Sequence, residues 1–282
     1  MNNKLKRLVI AADDYGYSAE VNQAILQLIE QGALTAASCL VTAPQWQQAA
    51  QSMTTEHSAQ ADIGLHLDLT EFANVTQANS AAGGSHLALT MAAYAASLQP
   101  ERVKQVIAQQ LDRFEQSLGF LPAYIDGHRH VHQLPVVRQQ LLAVVRERYQ
   151  DKNLPWIRIS KPLGCPKIKG FVIAALGSRG LKISSKQHNI PHSTRLLGVY
   201  DFSTDPAAHQ TRLNSWAAMA QDGDVLMVHP AAKVAAETSQ TNPTDNLLSA
   251  RLMEFELLSS DWWRNSYTLQ GVVLARGSAI FK

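Results

Sequence analysis

Short apolar runs alternate with longer amphipathic segments along this chain. The apolar runs predict buried strands over residues 7–13, 35–44, 62–71, 123–128, 156–160, 196–202, 224–230 and 271–275. Apolar residues at helical spacing predict helices over residues 18–32, 45–53, 100–118, 135–149, 205–221 and 245–259. Strands that alternate with helices form parallel sheets with right-handed crossovers. We therefore predict an α/β fold, an irregular (β/α) TIM-like barrel with parallel strands, formed by residues 1–282 as a single domain.

Two segments fit this alternation poorly. Residues 161–195 are interrupted by Gly, Pro and Lys, and they predict no more than one helix, near residues 170–180. Residues 72–86 are small and polar. This composition predicts a solvated loop, and a mobile lid over a substrate is the alternative.

Composition and charge restrict the class of protein. Hydrophobic residues make up 46% of the chain and charged residues 17%, which predicts a folded protein with a substantial core. The net charge is +2 and there is no long basic run, so nucleic-acid binding is not expected. The first apolar run ends at two aspartates and no run is long enough for a membrane span, so we expect a soluble cytoplasmic protein. Cys39 and Cys165 lie far apart in sequence and are expected to be reduced thiols.

Four of the predicted strands carry aspartate or histidine at or near their carboxyl ends. These residues are Asp13 and Asp14, then His66, then Asp126 with His128 and His130, and finally His229. The carboxyl ends of parallel strands converge on one face of an α/β fold, so we expect these side chains to lie together. Core packing does not readily explain four such strand ends, and the set favours a metal site.

Each motif alone also has a simpler explanation. The acid pair could favour the amino end of the following helix, and a single strand histidine is more often a hydrogen-bonded core residue. The segment DGHRHVH is more informative, because His128, His130 and His132 would point the same way in an extended chain. If the chain turns after the strand, only one or two of them reach a metal.

The mixture of ligand types predicts a catalytic metal site. Two imidazoles and one carboxylate leave open coordination positions for water and substrate. Asp13 and Asp14 are adjacent and are expected to face different directions, so that one binds the metal while the other acts as a base. These ligands suit zinc or another transition metal better than magnesium, which prefers oxygen.

The order of the motifs ADDYG, GLHLDLT, DGHRHVH and VHP resembles the YdjC-like carbohydrate deacetylases, which include chitooligosaccharide deacetylases and hopanoid-associated relatives. The segments VNQAILQLIEQGALTAASCLV and SARLMEFELLSS are similar too. The resemblance implies a (β/α) barrel, one divalent metal ion, with magnesium often assigned in the family, and release of acetate from an N-acetylated sugar. Matched by position, Asp14, His66 and His128 would bind the metal, Asp13 would be the base and His229 the acid.

The remaining positions of these motifs would surround the metal ligands. Tyr15, Asp126, His130 and His132 would contact the substrate or hold the imidazole rings. The chain departs from the family pattern without losing an expected ligand, at Ala11, Tyr15, Gly127, Arg129 and Ala231. The resemblance leaves the sugar and the oligomeric state open, with a homodimer as one option.

Two rival functions remain at this level. The HxH spacing is also a signature of amidohydrolases and of phosphoesterases similar to polymerase and histidinol phosphatase, although those families usually carry it at the first strand. A catalytically silent sugar-binding relative is the second rival. The intact base candidate Asp13 argues against it.

Overall fold

In the computed structural model of the chain, residues 5–73, 85–149, 154–163, 177–235 and 245–281 are described. Eight strands lie within these ranges. They are β1 Lys6–Tyr15, β2 Ala36–Cys39, β3 Asp62–Leu67, β4 Tyr124–Gly127, β5 Trp156–Ile157, β6 Leu196–Leu197, β7 Asp224–Val228 and β8 Val272–Leu274.

Helices follow most of the strands. The same ranges contain α1 Ala19–Glu30, α2 Trp46–Ser52, α3 Thr55–Gln60, α4 His86–Tyr94, α5 Pro100–Leu118, α6 Val137–Tyr149, α7 Ser178–Gln187, α8 Pro206–Met219, α9 Leu248–Leu258, α10 Asp261–Leu269 and α11 Gly277–Ile280. A 3-10 helix, His128–Gln133, follows β4 directly.

The sheet is parallel throughout its paired strands and curls towards closure. Its strand order is β5-β4-β3-β2-β1-β7-β6, and β8 pairs with the first residues of β1. Two isolated parallel bridges, Ile157 to His192 and Pro162 to Leu196, connect the two ends of this order. The predicted fold class, an irregular (β/α) TIM-like barrel with parallel strands, is confirmed, while the extent of one domain over residues 1–282 stays a prediction.

Two apolar layers lie on the two faces of the curled sheet. The larger one fills the space between strands and helices and includes Leu8 and Ile10 of β1. The smaller one includes Val9 and Ala11, which alternate with them and face the barrel interior. The same alternation directs the next residue of this set, Asp13, to the interior at the carboxyl end of the strand.

The amino-terminal end of the barrel is closed by aromatic packing and a buried carboxylate. Trp156 stacks on Tyr124 at 4.4 Å and contacts the ring of Phe281, which follows α11. Asp62 accepts hydrogen bonds from the Trp156 indole at 2.9 Å and from the backbone N–H of Ser278 at 2.7 Å. With this end filled, the cleft that contains the polar strand ends lies at the opposite, carboxyl end.

Local sequence explains most of the element boundaries. Ser18 caps α1 by accepting the N–H of Val21, and Gly119 ends α5 in a left-handed conformation. The predicted strand over 196–202 ends at Leu197 because Gly198 turns the chain, with φ 90°. A side chain at Gly198 would collide with the carbonyl oxygen of Met227.

Four short helices were not predicted: α3, α4, α10 and α11. Each has at most nine residues, too few for a clear hydrophobic period. The helix predicted near 170–180 lies largely outside the described residues, and α7 covers Ser178–Gln187 instead. Most of the loop over 72–86 also lies outside them, so its role as a lid is not tested.

Two further expectations concern the environment of the protein. Cys39 is a buried free thiol, and Cys165 lies outside the described residues. Every helix in the described part of the chain is too short or too polar to cross a membrane.

A substitution at Gly64 tests the packing inside the barrel. A Cβ atom at this position would lie 2.4 Å from the ring of Tyr124, within the interior layer. We expect Gly64→Ala to lower the free energy of unfolding by ~1–3 kcal/mol, as overpacked cores do, measured by urea denaturation. The control is Ala59→Ser on the exposed face of α3, which should change the free energy of unfolding by less than about 0.5 kcal/mol. An unchanged midpoint for Gly64→Ala would contradict this packing.

Candidate active site

A cleft of ≈ 330 Å³ opens at the carboxyl end of the barrel. This volume is at the lower end of the range for small-ligand sites. Its walls include six of the residues predicted from sequence: Asp13, Asp14, His66, His128, His130 and His229. The strand ends of β1, β3, β4 and β7 are therefore brought together as expected.

A β-bulge at the end of β1 places both members of the acid pair in this cleft. The pairing of β1 with β2 shifts register between Ala12 and Tyr15, and Asp14 has a left-handed backbone with φ 74°. The prediction that Asp13 and Asp14 face different directions is therefore wrong, because the extra residue turns Asp14 to the same side.

The same bulge corrects the prediction for Tyr15. Its ring points away from the cleft into the layer between strands and helices, and its hydroxyl donates to the Ala49 carbonyl at 2.7 Å. Tyr15 is fully buried there and does not reach a substrate in the cleft. Tyr17, two residues later, lines the cleft instead.

Asp14, His66 and His128 form a group that could hold a metal ion. Asp14 Oδ1 lies 3.5 Å from His66 Nε2 and 3.1 Å from His128 Nδ1. Ligand atoms at ~2.1 Å from one ion lie about 3.0–3.4 Å apart in octahedral or tetrahedral geometry. The two separations thus fit a shared divalent ion without a large movement of the side chains.

A second group with metal-binding residue types consists of Asp13, His66 and Asp126. Here the space is already filled by hydrogen bonds, because His66 Nδ1 lies 2.6 Å from Asp126 Oδ1. The Arg158 guanidinium also contacts both carboxylates, at 2.6 Å and 2.9 Å. A second cation at this position would be repelled, so the group around Asp14 is the better candidate.

Arg158 is the cation of a buried network beneath the cleft. Its two terminal nitrogens donate to both oxygens of Asp13, at 2.6 Å and 2.8 Å. Ser38 donates to Asp126 Oδ2 at 2.6 Å. Burial alone would raise the pKa of the Asp13 carboxyl, but Arg158 and nearby imidazoles hold that pKa well below its usual range.

Arg251, from α9, fixes the other oxygen of Asp14. Its guanidinium donates to Asp14 Oδ2 at 2.7 Å and lies 3.2 Å from Asp245 Oδ2. Burial opposes ionisation of Asp14, yet Arg251 and His128 hold the pKa of this carboxyl well below its usual value. Asp14 is therefore a carboxylate with one oxygen facing the histidines.

His229 directly follows β7 and lines the cleft. Its Nε2 is 4.0 Å from Asp13 Oδ2, and its ring packs edge-on against Phe202. The backbone N–H of His229 donates to Glu254, which also accepts the hydroxyl of Tyr200 at 2.7 Å. Burial lowers the pKa of the His229 imidazole to about 4 and raises that of Glu254 to about 7.

The segment HRHVHQ does not continue the strand, so its three histidines diverge. Arg129 and His130 have left-handed backbones, with φ 52° and 61°, and the chain forms a 3-10 helix. His130 lines the cleft, while His132 turns into the core, where its Nε2 donates to the Arg158 carbonyl at 2.8 Å. His132 thereby supports the backbone of Arg158.

Backbone strain is concentrated at this cleft. Seven non-glycine residues in the described ranges have positive φ, and four of them line the cleft: Asp14, Arg129, His130 and Phe202. Such conformations cost of order 1–3 kcal/mol each and persist where the surroundings fix them, often at functional sites.

Several residues at the site were missed by the sequence analysis: Glu71, Arg158, Tyr200, Asp245, Arg251 and Glu254. Only Arg251 and Glu254 had a signal, as the arginine and glutamate of the segment SARLMEFELLSS. The others lie in segments with no distinctive spacing, and their partners are distant in sequence.

The fold and the cleft define an α/β barrel with a candidate cation site at the carboxyl ends of its strands. A family model described as YdjC-like protein matches residues 7–268, which is most of the chain. The chain therefore belongs to the YdjC-like family, and the resemblance drawn from its four motifs is confirmed.

Curated relatives align with about half of the chain. A human carbohydrate deacetylase is 32% identical over 148 residues, which cover 49% of this chain and 45% of the relative. A carbohydrate deacetylase from Brevibacillus brevis is 30% identical over 54% of this chain and 60% of its own length. A chitooligosaccharide deacetylase from Yersinia pestis is 28% identical over 55% of this chain and 60% of the relative. The chain spans about half the length of the first of these relatives.

Solved structures share the fold at low sequence identity. A crystal structure described as a cellobiose-phosphate cleavage protein from Enterococcus faecalis V583 superposes with a TM-score of 0.71, at 20% identity, covering 99% of this chain and 100% of that one. The Bc1960 peptidoglycan N-acetylglucosamine deacetylase superposes with a TM-score of 0.51 at 13% identity, covering 98% and 87%. These likenesses concern the fold alone.

Replacement of Arg158 tests the buried charge network. Replacing it by methionine leaves Asp13 and Asp126 buried without their cation, so we expect Arg158→Met to lower the free energy of unfolding at pH 7 by ~3–5 kcal/mol. The control is Arg7→Met, because Arg7 pairs with Asp222 at the surface and such pairs contribute only ~0–1 kcal/mol. Equal losses for both variants, measured by urea denaturation, would contradict the network.

Proposed function

We propose that this chain is a metal-dependent hydrolase that removes the acetyl group from an N-acetylated amino sugar and releases acetate. The observation that carries this proposal is the convergence of Asp14, His66 and His128 beside Asp13 and His229 in one cleft. The names of the relatives support the reaction class, since several are carbohydrate or chitooligosaccharide deacetylases.

Asp14, His66 and His128 would hold the ion. One carboxylate oxygen and two imidazole nitrogens suit zinc, cobalt, nickel, manganese or iron better than magnesium. A divalent ion bound there would lower the pKa of a water molecule and polarise the acetyl oxygen. Arg251 keeps Asp14 ionised and therefore able to act as a ligand.

Asp13 would take the proton from the attacking water. It lies next to the candidate ligands, and the fork of Arg158 fixes both of its oxygens. The lowered pKa makes Asp13 a weak base, so proton transfer to it is favourable only from water that has itself been made acidic. Asp13 would therefore act as a base only when an ion is bound at the site beside it.

His229 would donate the proton to the leaving nitrogen. Because burial lowers the pKa of its imidazole to about 4, the ring is neutral at pH 7 and must gain a proton during the reaction. That proton would be the one that Asp13 takes from the water, since Asp13 Oδ2 lies 4.0 Å from His229 Nε2. Glu254 and Tyr200 fix the backbone behind it, and Phe202 packs on its ring. His229 is therefore held in place at the end of β7, beside Asp13.

The walls of the cleft would suit a sugar. The ring of Tyr17 and that of Phe202 both line the cleft, and aromatic faces pack against the apolar faces of sugars. Glu71, Arg129 and Asp245 also line the cleft and offer hydrogen bonds for hydroxyl groups.

Metal binding tests the proposed ligands. We expect Asp14→Ala, His66→Ala and His128→Ala each to lose metal, because each removes one of three protein ligands. Asp13→Asn should keep the metal, since Asp13 is held by Arg158 instead. The measurement is metal content by mass spectrometry after dialysis against zinc, manganese and magnesium. Metal-free Asp13→Asn protein would mean that the two aspartates have exchanged roles.

Acetate release tests the reaction. We expect metal-loaded protein to release acetate from at least one member of a panel of N-acetylated monosaccharides, disaccharides and lipid-linked sugars. Asp13→Asn should lower kcat by ~10²–10⁴-fold, as loss of a general base does, with an unchanged metal content.

The control for this assay is His128→Ala, which should release no acetate. Phosphate from phosphorylated sugars, with no acetate, would favour a phosphoesterase. Sugar binding by metal-loaded protein without turnover would favour a silent binding protein. Either result would overturn the proposed deacetylase.

A further inference from the structure

His128 lies between two carboxylates, and the outer one belongs to a residue without an assigned role. Its Nδ1 is 3.1 Å from Asp14 Oδ1, and its Nε2 is 2.8 Å from Glu71 Oε2. If Nδ1 binds a metal ion together with the other candidate ligands, the ring proton must lie on Nε2, where it is donated to Glu71.

His66 shows the same arrangement with its nitrogens exchanged. Its Nε2 faces Asp14, and its Nδ1 lies 2.6 Å from Asp126. Each of the two candidate metal histidines therefore has a carboxylate behind its ring. Asp126 is fully buried, whereas the side chain of Glu71 is 23% exposed at the wall of the cleft.

The backbone that carries Glu71 is fixed by a buried carboxylate. Asp68, at the end of β3, accepts hydrogen bonds from the four consecutive backbone N–H groups of residues 70–73, at 2.7–2.9 Å. Gln110 holds Asp68 in turn, by accepting its N–H at 3.0 Å and donating to its carbonyl at 2.6 Å. This turn presents Glu71 to His128 with little freedom.

We propose that Glu71 is a positioning residue that fixes the tautomer and the orientation of His128, so that Nδ1 of His128 faces the metal ion. This inference rests on the proposed function, because it takes Asp14, His66 and His128 to be the ligands. A carboxylate behind a metal-binding histidine also makes the imidazole a stronger ligand, and losing such a partner typically costs 10–100-fold in metal affinity.

A simple surface ion pair is the competing explanation for Glu71. The same oxygen, Oε2, also accepts a hydrogen bond from Arg129 Nη2 at 2.8 Å. The Arg129 side chain is 49% exposed, and exposed pairs contribute little. Variants of Arg129 and of Glu71 therefore separate the two explanations.

The test is the metal dissociation constant of the full chain, measured for zinc and for manganese by competition with a chromophoric chelator. We expect Glu71→Ala and Glu71→Ser to raise both constants by 10–100-fold. Glu71→Gln should restore most of the affinity, because its amide oxygen can still accept the N–H of His128. Arg129→Gln, the matched control, should change the constants by less than about threefold.

Thermal unfolding of the metal-free proteins shows whether each variant is folded. Unchanged affinity in folded Glu71→Ala and Glu71→Ser would overturn the inference, and so would an equal loss in Arg129→Gln. If no sugar is deacetylated but the Glu71 variants bind metal more weakly, the proposed function fails while the positioning role stands. If the unmodified protein binds neither ion, both proposals fail.

Discussion

Neutralisation of buried charge at the carboxyl end of the barrel is the constraint on which the site depends. Asp13, Asp14 and Asp126 are each at most 3% exposed, and an unpaired carboxylate at such a depth is strongly destabilising. Arg158 and Arg251 compensate for them from the far side of the barrel and from α9. The two guanidinium groups are held in fixed directions. One side of the acid pair is therefore left for a cation and for the histidines. The electrostatic balance thus selects where a metal can bind.

The apolar pattern was sufficient to predict the barrel, because strand and helix periods differ and most of the strands are buried on both faces. It was also sufficient to bring Asp13, His66, His128 and His229 together, since parallel strands share one carboxyl end. The pattern did not predict short helices such as α3 or the turn after β4. Helices of about two turns have too few residues to show a period.

Local sequence patterns could not predict which residues contact the acid pair. Arg251 is 237 residues from Asp14, and Arg158 is 145 residues from Asp13. No spacing in the sequence connects them, and only the folded barrel does.

The orientation of Asp14 and Tyr15 was missed for another reason. A bulge of one residue reverses the alternation of a strand, and the run AADDYG contains no glycine at the position that adopts the left-handed backbone.

The pairing of β1 has a consequence for how the chain reaches this fold. One strand near the start of the sequence pairs with β2, with β7 and with β8, the last through Lys6 and Val272. Its partner β2 is close in sequence, but β7 and β8 lie more than 200 residues further along the chain, and so does Asp222, which accepts the backbone N–H of Arg7. Contacts of such long range slow folding, and a chain emerging from a ribosome would expose an unpaired edge of β1 until they form. Until β7 and β8 are made, that edge of β1 is open to mispairing with other strands.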